Sequence, residues 1–401
     1  MGRGGAGVVP GYNPGVGLSV VDLFSGGGGA SAGFAAHPAF RIAGAADAQY
    51  GKPSSPRGSL GCNETYAANM GLAPVAADLG TVDPDDLAAA MGLPGGPDVL
   101  VACPPCTGFS RTLATNHLRD DPRNGLVRRT GLFVRAWRPR VLLMENAREL
   151  VIGRFREHLG GLTADLAALG YRVAAGTHML TEFGLPQRRE RALVVAVAAD
   201  LPLRTLDDLW SGLEVDPKAT HVRRAIWDWH LRPLDGADPA HTAPRFTTAV
   251  ARDRTGRMPH DGGSWSDLAD TPALLTPAMR GRLERGRLGS HPDVYGRMWW
   301  DRPAPTIKRE CGHVGNGRYT HPEQNRLCTV REMGILNGFP ADYAFRGGMS
   351  NMYRHIGDAV PPLISFQLAH LAAWILGARR PSPADLVMPR THLSPDDLRP
   401  A

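Results

Sequence analysis

The stretch VVDLFSGGGGASAGF, residues 20–34, ends an apolar run that begins at Leu18 and opens a segment of helical spacing at Ser31. Branched apolar residues, four consecutive glycines and then small helix-forming residues read as a buried strand, a tight turn and a helix. Glycines let the backbone turn sharply and let a ligand approach it closely. Gly27-x-Gly29-x-x-Ala32 satisfies a dinucleotide-type fingerprint, and Asp47 closes the next apolar run, where a carboxylate can reach ribose hydroxyls. The pattern points to a nucleoside-containing cofactor without saying which one. Phe24 at the strand end is either a core ring or a surface on which an adenine could stack.

Outward from that loop, apolar runs alternate with helix-like segments. The runs are Leu18–Phe24, Arg41–Asp47, Pro74–Asp78, Asp98–Cys103, Val141–Asn146, Tyr171–His178 and Arg191–Ala198. Between most of them lie Ser31–Ala39, Asn63–Gly71, Asp83–Gly92, Asn124–Trp137 and Phe155–Gly170. This alternation predicts an α/β fold with a doubly wound, mixed but mostly parallel sheet covered on both faces. Residues 1–17 read as a flexible tail, and from about 200 to 302 the alternation gives way to scattered Trp, His, Pro, Gly and Arg, a smaller loop-rich module. The apolar stretch from Pro361-Pro362 to Ile375 has the length of a buried helix with proline in its first turn, expected to pack back on the first domain. The expected division is a main domain of 18–199 plus about 355–385, a small domain of about 200–354, and a C-terminal tail of 386–401.

Hydrophobic residues make up 43% and charged residues 21% of 401, which excludes wholesale disorder, collagen and coiled coil. No run of about 18 uncharged apolar residues occurs, so a soluble, cytoplasmic chain is expected. Five cysteines without even spacing argue for reduced thiols. The net charge of +6 is compatible with a polyanionic partner and does not require one. Arginine supplies nearly all of the basic residues, lysine occurring only at 52, 218 and 308.

Ala102-Cys103-Pro104-Pro105-Cys106-Thr107-Gly108-Phe109-Ser110 follows the fourth run. A thioredoxin-like pair would open a helix, which Pro-Pro and Thr-Gly do not suit, and no second Cys-x-x-Cys supplies a zinc site, so no metal is expected. A zinc deaminase would need an upstream His-x-Glu that is missing. Two small buried thiols remain a sufficient account, and so does a nucleophile at Cys106, just past the carboxyl end of a parallel strand. The next run ends in Glu145-Asn146, a carboxylate on the same edge, where partial burial would let it donate a proton. Thiol and acid on neighbouring strand ends suggest covalent catalysis with acid assistance.

At this point the sequence resembles the cytosine-5 DNA methyltransferase family. The motifs that carry the resemblance are Asp22-Leu23-Phe24-Ser25-Gly26-Gly27-Gly28-Gly29, Pro104-Pro105-Cys106-x-Gly108-Phe109-Ser110, Glu145-Asn146 and Gln187-x-Arg189-x-Arg191. They are followed by Arg326–Glu332 with Gly338-Phe339-Pro340, and by Gly357-Asp358-Ala359-Val360-Pro361-Pro362. The resemblance implies a Rossmann-like methyltransferase fold whose small domain recognises the target, with S-adenosylmethionine as cofactor and S-adenosylhomocysteine as product. It implies catalysis by Cys106, Glu145, Arg189 and Arg191. Cofactor contacts would come from Asp22, Phe24, Gly26, Gly28, Gly29, Asp47 on ribose, Asp78 on the adenine edge, Pro104, Leu126, Asn146, Asp358 and Val360. Ser110, Arg111, Gln187 and Arg331 would face DNA, with further phosphate contacts from Arg280, Arg282, Arg285 and Arg287 unless that patch is a solvated helix face.

The expected partner is double-stranded DNA, bound by a monomer without a membrane, and a cognate restriction or phage-defence system is a compatible companion. Methylation of transfer RNA and a catalytically silent DNA-binding homologue remain the alternatives. Thr107, Ala147 and Asp358 depart from the family's usual Gln, Val and Asn, and Cys103 invites a disulfide with Cys106.

Overall fold

The computed structural model describes residues 17–50, 59–106, 108, 120–286, 288 and 293–401, which leaves most of the expected N-terminal tail outside the description. The first half alternates as its apolar runs dictate: β1 (Leu18–Leu23), α1 (Gly29–Ala36), β2 (Phe40–Ala46), α2 (Cys62–Met70), α3 (Pro84–Met91), β3 (Val99–Ala102), α4 (Gly125–Trp137), β4 (Val141–Ala147), α5 (Glu149–Ile152), α6 (Glu157–Ala168), β5 (Tyr171–Met179) and β6 (Glu190–Ala198). The strands form one sheet in the order β2-β1-β3-β4-β6-β5. β1 pairs in parallel with β2 and β3, and β3 with β4, whereas β6 runs antiparallel to both β4 and β5. The mixed, mostly parallel α/β sheet is therefore present, its antiparallel part arising because the segment 180–189 between β5 and β6 holds a single 3-10 turn and no crossover helix.

Strand alternation sorts the side chains into two cores. Val20, Val99, Val101, Val141, Leu143, Val195 and Val197 face one side, and Val21, Leu23, Leu100, Ala102, Leu142, Met144, Val194 and Ala196 the other. The expected strand at Pro74–Asp78 is reduced to a single parallel bridge between Val75 and Ala46. Pro74 has no N–H to offer a ladder, and the Asp78 side chain turns back to accept the Gly80 N–H at 2.8 Å.

The later elements are α7 (Leu206–Trp210), β7 (Leu213–Val215), α8 (Val222–His230), α9 (Ala249–Arg257), α10 (Pro277–Glu284), α11 (Val330–Leu336), α12 (Met349–Asp358), α13 (Pro362–Ile375) and β8 (Leu398–Pro400). α13 packs back on the first domain as its apolarity demands. Its Ser365 hydroxyl donates to the Ala30 carbonyl, and a Cβ at Gly33 would lie 2.2 Å from the Phe366 nitrogen, so α1 and α13 touch backbone to backbone. Residues 386–401 are not a loose tail: β8 pairs with β7, and Leu386, Leu393 and Leu398 are buried in the α13 core. Leu206, Leu209 and Trp210 join the same core, although they lie beyond residue 199. A further core gathers α8, α11, α12 and residues around Ile307, with Ala32 of α1 reaching into it. No helix among the described residues is long and apolar enough to cross a membrane.

Candidate active site

The sharp turn after β1 is real: Phe24 has φ 62°, Gly26 51° and Gly28 89°, so a ring-bearing residue shares the left-handed region with two glycines. Asp47, past the end of β2, holds the turn by accepting the Gly26 N–H at 2.9 Å and the Gln49 N–H at 2.6 Å. Tyr343 donates its hydroxyl to the Gly27 carbonyl at 2.6 Å, and a Cβ at Gly28 would strike that hydroxyl at 2.7 Å. Among the described residues nothing lies within 4 Å of Gly26 in the direction of a side chain.

Asp22 is buried, with Oδ2 accepting from Ser31 Oγ at 2.7 Å, and Ser31 in turn meets the Tyr66 hydroxyl at 2.6 Å. Burial pushes the Asp22 carboxyl up to about 7 against the lowering effect of the Ser31 hydrogen bond. Its Oδ1 and the Ser25 hydroxyl are buried without a hydrogen-bond partner among the described residues. Asp78 lies half-buried at the far side, accepting the Tyr50 hydroxyl at 2.9 Å, with Leu126 close to the neighbouring Gly80. The turn, Asp47 and Asp78 thus lie together at the carboxyl ends of β1 and β2, the edge where open α/β sheets place a ligand cleft.

β3 leads directly into Pro104-Pro105-Cys106. Asn146, fully buried at the end of β4, donates to the Pro104 carbonyl at 2.9 Å and clamps the proline pair against its neighbouring strand. Glu145 is buried, and its Oε1 lies 2.9 Å from Arg191 Nε and 3.9 Å from Arg189 Nη2. The antiparallel register explains this cluster: Ala147 pairs with Arg191 and Glu145 with Leu193, so the start of β6 delivers both arginines to the end of β4. Burial raises the Cys106 thiol above its ordinary value; Arg191 is the largest opposing influence, with Arg189 also lowering it and Glu145 raising it. Thiol, acid and guanidinium therefore form one electrostatic unit. A sequence model of the family described as C-5 cytosine-specific DNA methylase matches residues 18–372, which include all of these groups.

The chain belongs to the C-5 cytosine-specific DNA methylases. It is 32% identical over 278 residues to the type II methylase M.HgiDII of Herpetosiphon aurantiacus, covering 66% of this chain and 72% of that one. It is 29% identical to the type II methyltransferase M.NgoFVII of Neisseria gonorrhoeae, covering 76% of each. A prophage-encoded E. coli protein shares the fold with a TM-score of 0.60 at 18% identity, covering 90% of this chain and 100% of the other.

In this methylase the remaining residues singled out in the sequence fall into three groups. Gln187 and Arg331 do not face an open surface. Gln187 is fully buried, donating to Asn337 Oδ1 at 2.7 Å and accepting the Ile307 N–H at 2.8 Å; Arg331 binds Asp238 at 2.8 Å and the Tyr343 carbonyl at 2.7 Å. Both tie interior segments together. Arg189 is almost fully buried and also works as a tie, donating to the carbonyls of Ile307 and Ala359, each at 3.1 Å. Burial, then the neighbouring Arg191, brings its guanidinium down to about 10.

The second group lies around the end of α12 and the start of α13, next to the glycine turn. Val360 is buried, its carbonyl 2.4 Å from where a Cβ on Gly29 would stand, and Asp358 meets Arg309 at 2.9 Å. The third group, Thr107, Ser110, Arg111 and Arg287, lies outside the described residues. Of the basic patch, Arg280 spends one donor on the Pro272 carbonyl at 3.1 Å.

The disulfide suggested between Cys103 and Cys106 is poorly prepared. Cys103 packs into the α1–α13 core and accepts the Glu145 N–H at 3.3 Å, whereas Cys106 packs against the opposite core. Both thiols are free. Tyr343 and Arg309 carry no signal in the sequence because each reaches the cleft from a distant segment, and Tyr50, three residues after Asp47, belongs to no motif. The one available signal was the acid at Asp358, which called for a cation.

Proposed function

We propose that this DNA cytosine-5 methyltransferase uses Cys106 as nucleophile and Glu145 as acid on a cytosine turned out of duplex DNA, with S-adenosylmethionine in the cleft beside the glycine turn. The cluster of Cys106, Glu145 and Arg191 at the ends of β3, β4 and β6 carries the reading. The cofactor assignment draws support from three features: among the described residues Asp22 and Ser25 each keep a buried polar atom without a hydrogen-bond partner, none lies within 4 Å of Gly26 in the direction of a side chain, and Asp47 and Asp78 offer acceptors along the same edge. Bound there, S-adenosylmethionine would supply a methyl group on an electrophilic sulfonium.

The protein's own part is to make carbon 5 of the base a nucleophile. The Cys106 thiol gives up its proton to water, Arg191 and Arg189 stabilising the thiolate against the opposing effect of burial, and the sulfur bonds to carbon 6. Negative charge then develops on ring nitrogen 3, where Glu145 delivers a proton or a hydrogen bond, while Arg191 holds the oxygen at position 2. After carbon 5 has gained its methyl group, water takes the proton from carbon 5, the carbon–sulfur bond breaks to release the thiolate, and any proton on nitrogen 3 returns to Glu145, which restores the aromatic ring. Turning the base out costs a few kcal/mol that contacts to the rest of the duplex offset. Similarity to type II methylases of two bacteria supports a role beside a restriction endonuclease or related defence.

Labelled methyl transfer tests the reading. Duplex DNA incubated with S-adenosylmethionine should acquire label, and Cys106→Ser should lower the rate by about a thousandfold or more. An oligonucleotide carrying 5-fluorocytosine should become covalently trapped through Cys106, because fluorine cannot leave as the proton does. Label on transfer RNA but not on DNA would overturn the substrate assignment.

A further inference from the structure

Asp358 ends α12 on the rim of the cleft, where the family resemblance leads one to expect asparagine, and its charge is answered from another segment. Its Oδ2 lies 2.9 Å from Arg309 Nη1, and the two side chains remain 31% and 22% exposed. Arg309 Nη2 also donates to the Tyr50 carbonyl at 3.3 Å, and the Tyr50 hydroxyl donates to Asp78 at 2.9 Å. A continuous polar chain thus runs from Asp78, past the residues that follow β2, to Asp358.

Arg309 does not hang on a free loop. On one side Ile307 is held by Gln187 through its N–H at 2.8 Å and by Arg189 through its carbonyl at 3.1 Å. On the other, Glu310 pairs with Arg354 of α12 at 3.1 Å. Between them the Lys308 carbonyl lies against Gly357 so closely that a Cβ there would be 2.3 Å from it. The guanidinium is delivered to the cleft by a segment fixed at both ends.

We infer that Arg309 is a positioning residue for the methyl donor, bridging the two rims of the cofactor cleft at Tyr50 and Asp358 and so holding the cleft ready to bind. The inference rests on the proposed reading of that cleft as the S-adenosylmethionine site. An ion pair that remains partly exposed adds little to global stability, so its effect should be local and appear as preorganisation of the site.

The carboxyl of Asp358 is exposed to several charges. Arg309 and Glu310 face it from the strap, Asp47 from the end of β2 and Arg189 from the start of β6, and its charge is felt by the thiols of Cys62, Cys106 and Cys311. Although about a third of its side chain is exposed, the protein packed around it pushes it up to about 6, Arg309 pulling down and Asp47 pushing up. The bridge is therefore charged above that value and loses its carboxylate as pH falls through it.

Calorimetric binding of S-adenosylmethionine and of S-adenosylhomocysteine to the full chain, without DNA, tests the inference. Arg309→Met should weaken both ligands by about tenfold, while Arg309→Lys recovers part of the loss. Wild-type affinity should fall between pH about 8 and about 5, and Asp358→Asn should flatten that fall. A purely structural pair would move the unfolding midpoint but not the pH profile of binding. Arg309→Met binding both ligands as tightly as the wild type would overturn the bridge while leaving the cofactor reading intact. A wild-type chain that binds neither would remove the cofactor reading and the bridge with it. If Arg309→Met fails to fold, Arg309→Lys and Asp358→Asn decide by the same two readouts.

Discussion

Side chains that look alike in the motif Gln187-x-Arg189-x-Arg191 do different work. Arg191 is aimed at the Glu145 carboxylate, whereas Gln187 and Arg189 spend their donors on Asn337, Ile307 and Ala359. Gln187 is the clearest case, because a buried amide that loses its partners leaves them unsatisfied as well. Gln187→Ala would strand the Ile307 N–H and the Asn337 side chain. It should cost about 2–4 kcal/mol of stability in urea unfolding. Under conditions where the variant is folded, DNA affinity should be almost unchanged. A large loss of affinity with stability intact would instead mean that Gln187 meets DNA.

Helices α1 and α13 show what glycine does for an element rather than for a turn. Gly29 and Gly33 lie one helical turn apart on α1 and present bare backbone to the Val360 carbonyl and the Phe366 nitrogen. A methyl group at Gly33 would collide with backbone that is itself inside a helix and cannot yield cheaply. Gly33→Ala should therefore destabilise the fold by about 1–3 kcal/mol despite alanine's better helix propensity, measurable as a lowered thermal midpoint. Because Val360 borders the cleft, the same change should weaken cofactor binding. A surface glycine such as Gly160, which has nothing within 4 Å, serves as the control.

Across the whole molecule, buried histidines set the response to acid. Burial brings His37, His370 and His392 down to about 4 and His321 to about 3. Each stays neutral in the folded chain while the unfolded chain takes up a proton near its ordinary value. Their stabilisation is thus complete above about 6.5 and drains away as pH falls toward about 4. Glu332, held down to about 2 by Arg326 against the opposing effect of burial, adds a second loss below about 4.5. Asp22 and Asp358 act in the opposite sense, since their raised values make the folded chain bind protons more tightly, but they are two groups against four. The unfolding midpoint should fall steadily from pH about 7 to about 4, and His370→Phe should shallow the slope. A midpoint that rises over that interval would show that the two acids dominate.

Chain order alone carried the parallel part of the sheet, the glycine turn, the final apolar helix and the candidate pairing of Cys106 with Glu145, because each rests on local periodicity or on residues at the ends of adjacent strands. The strand expected at Pro74–Asp78 failed because an apolar run ending in an acid does not reveal that its proline cannot join a ladder. Residues 386–401 looked like a tail because three spaced leucines announce nothing until β7 and α13 give them a surface. The division of labour among Gln187, Arg189 and Arg191, and the bridge from Tyr50 through Arg309 to Asp358, were decided by the tertiary structure. The physical reason is the same in both cases: a polar side chain's role depends on which distant backbone groups and charges lie within about 3 Å of it, and sequence spacing fixes those only within a single element.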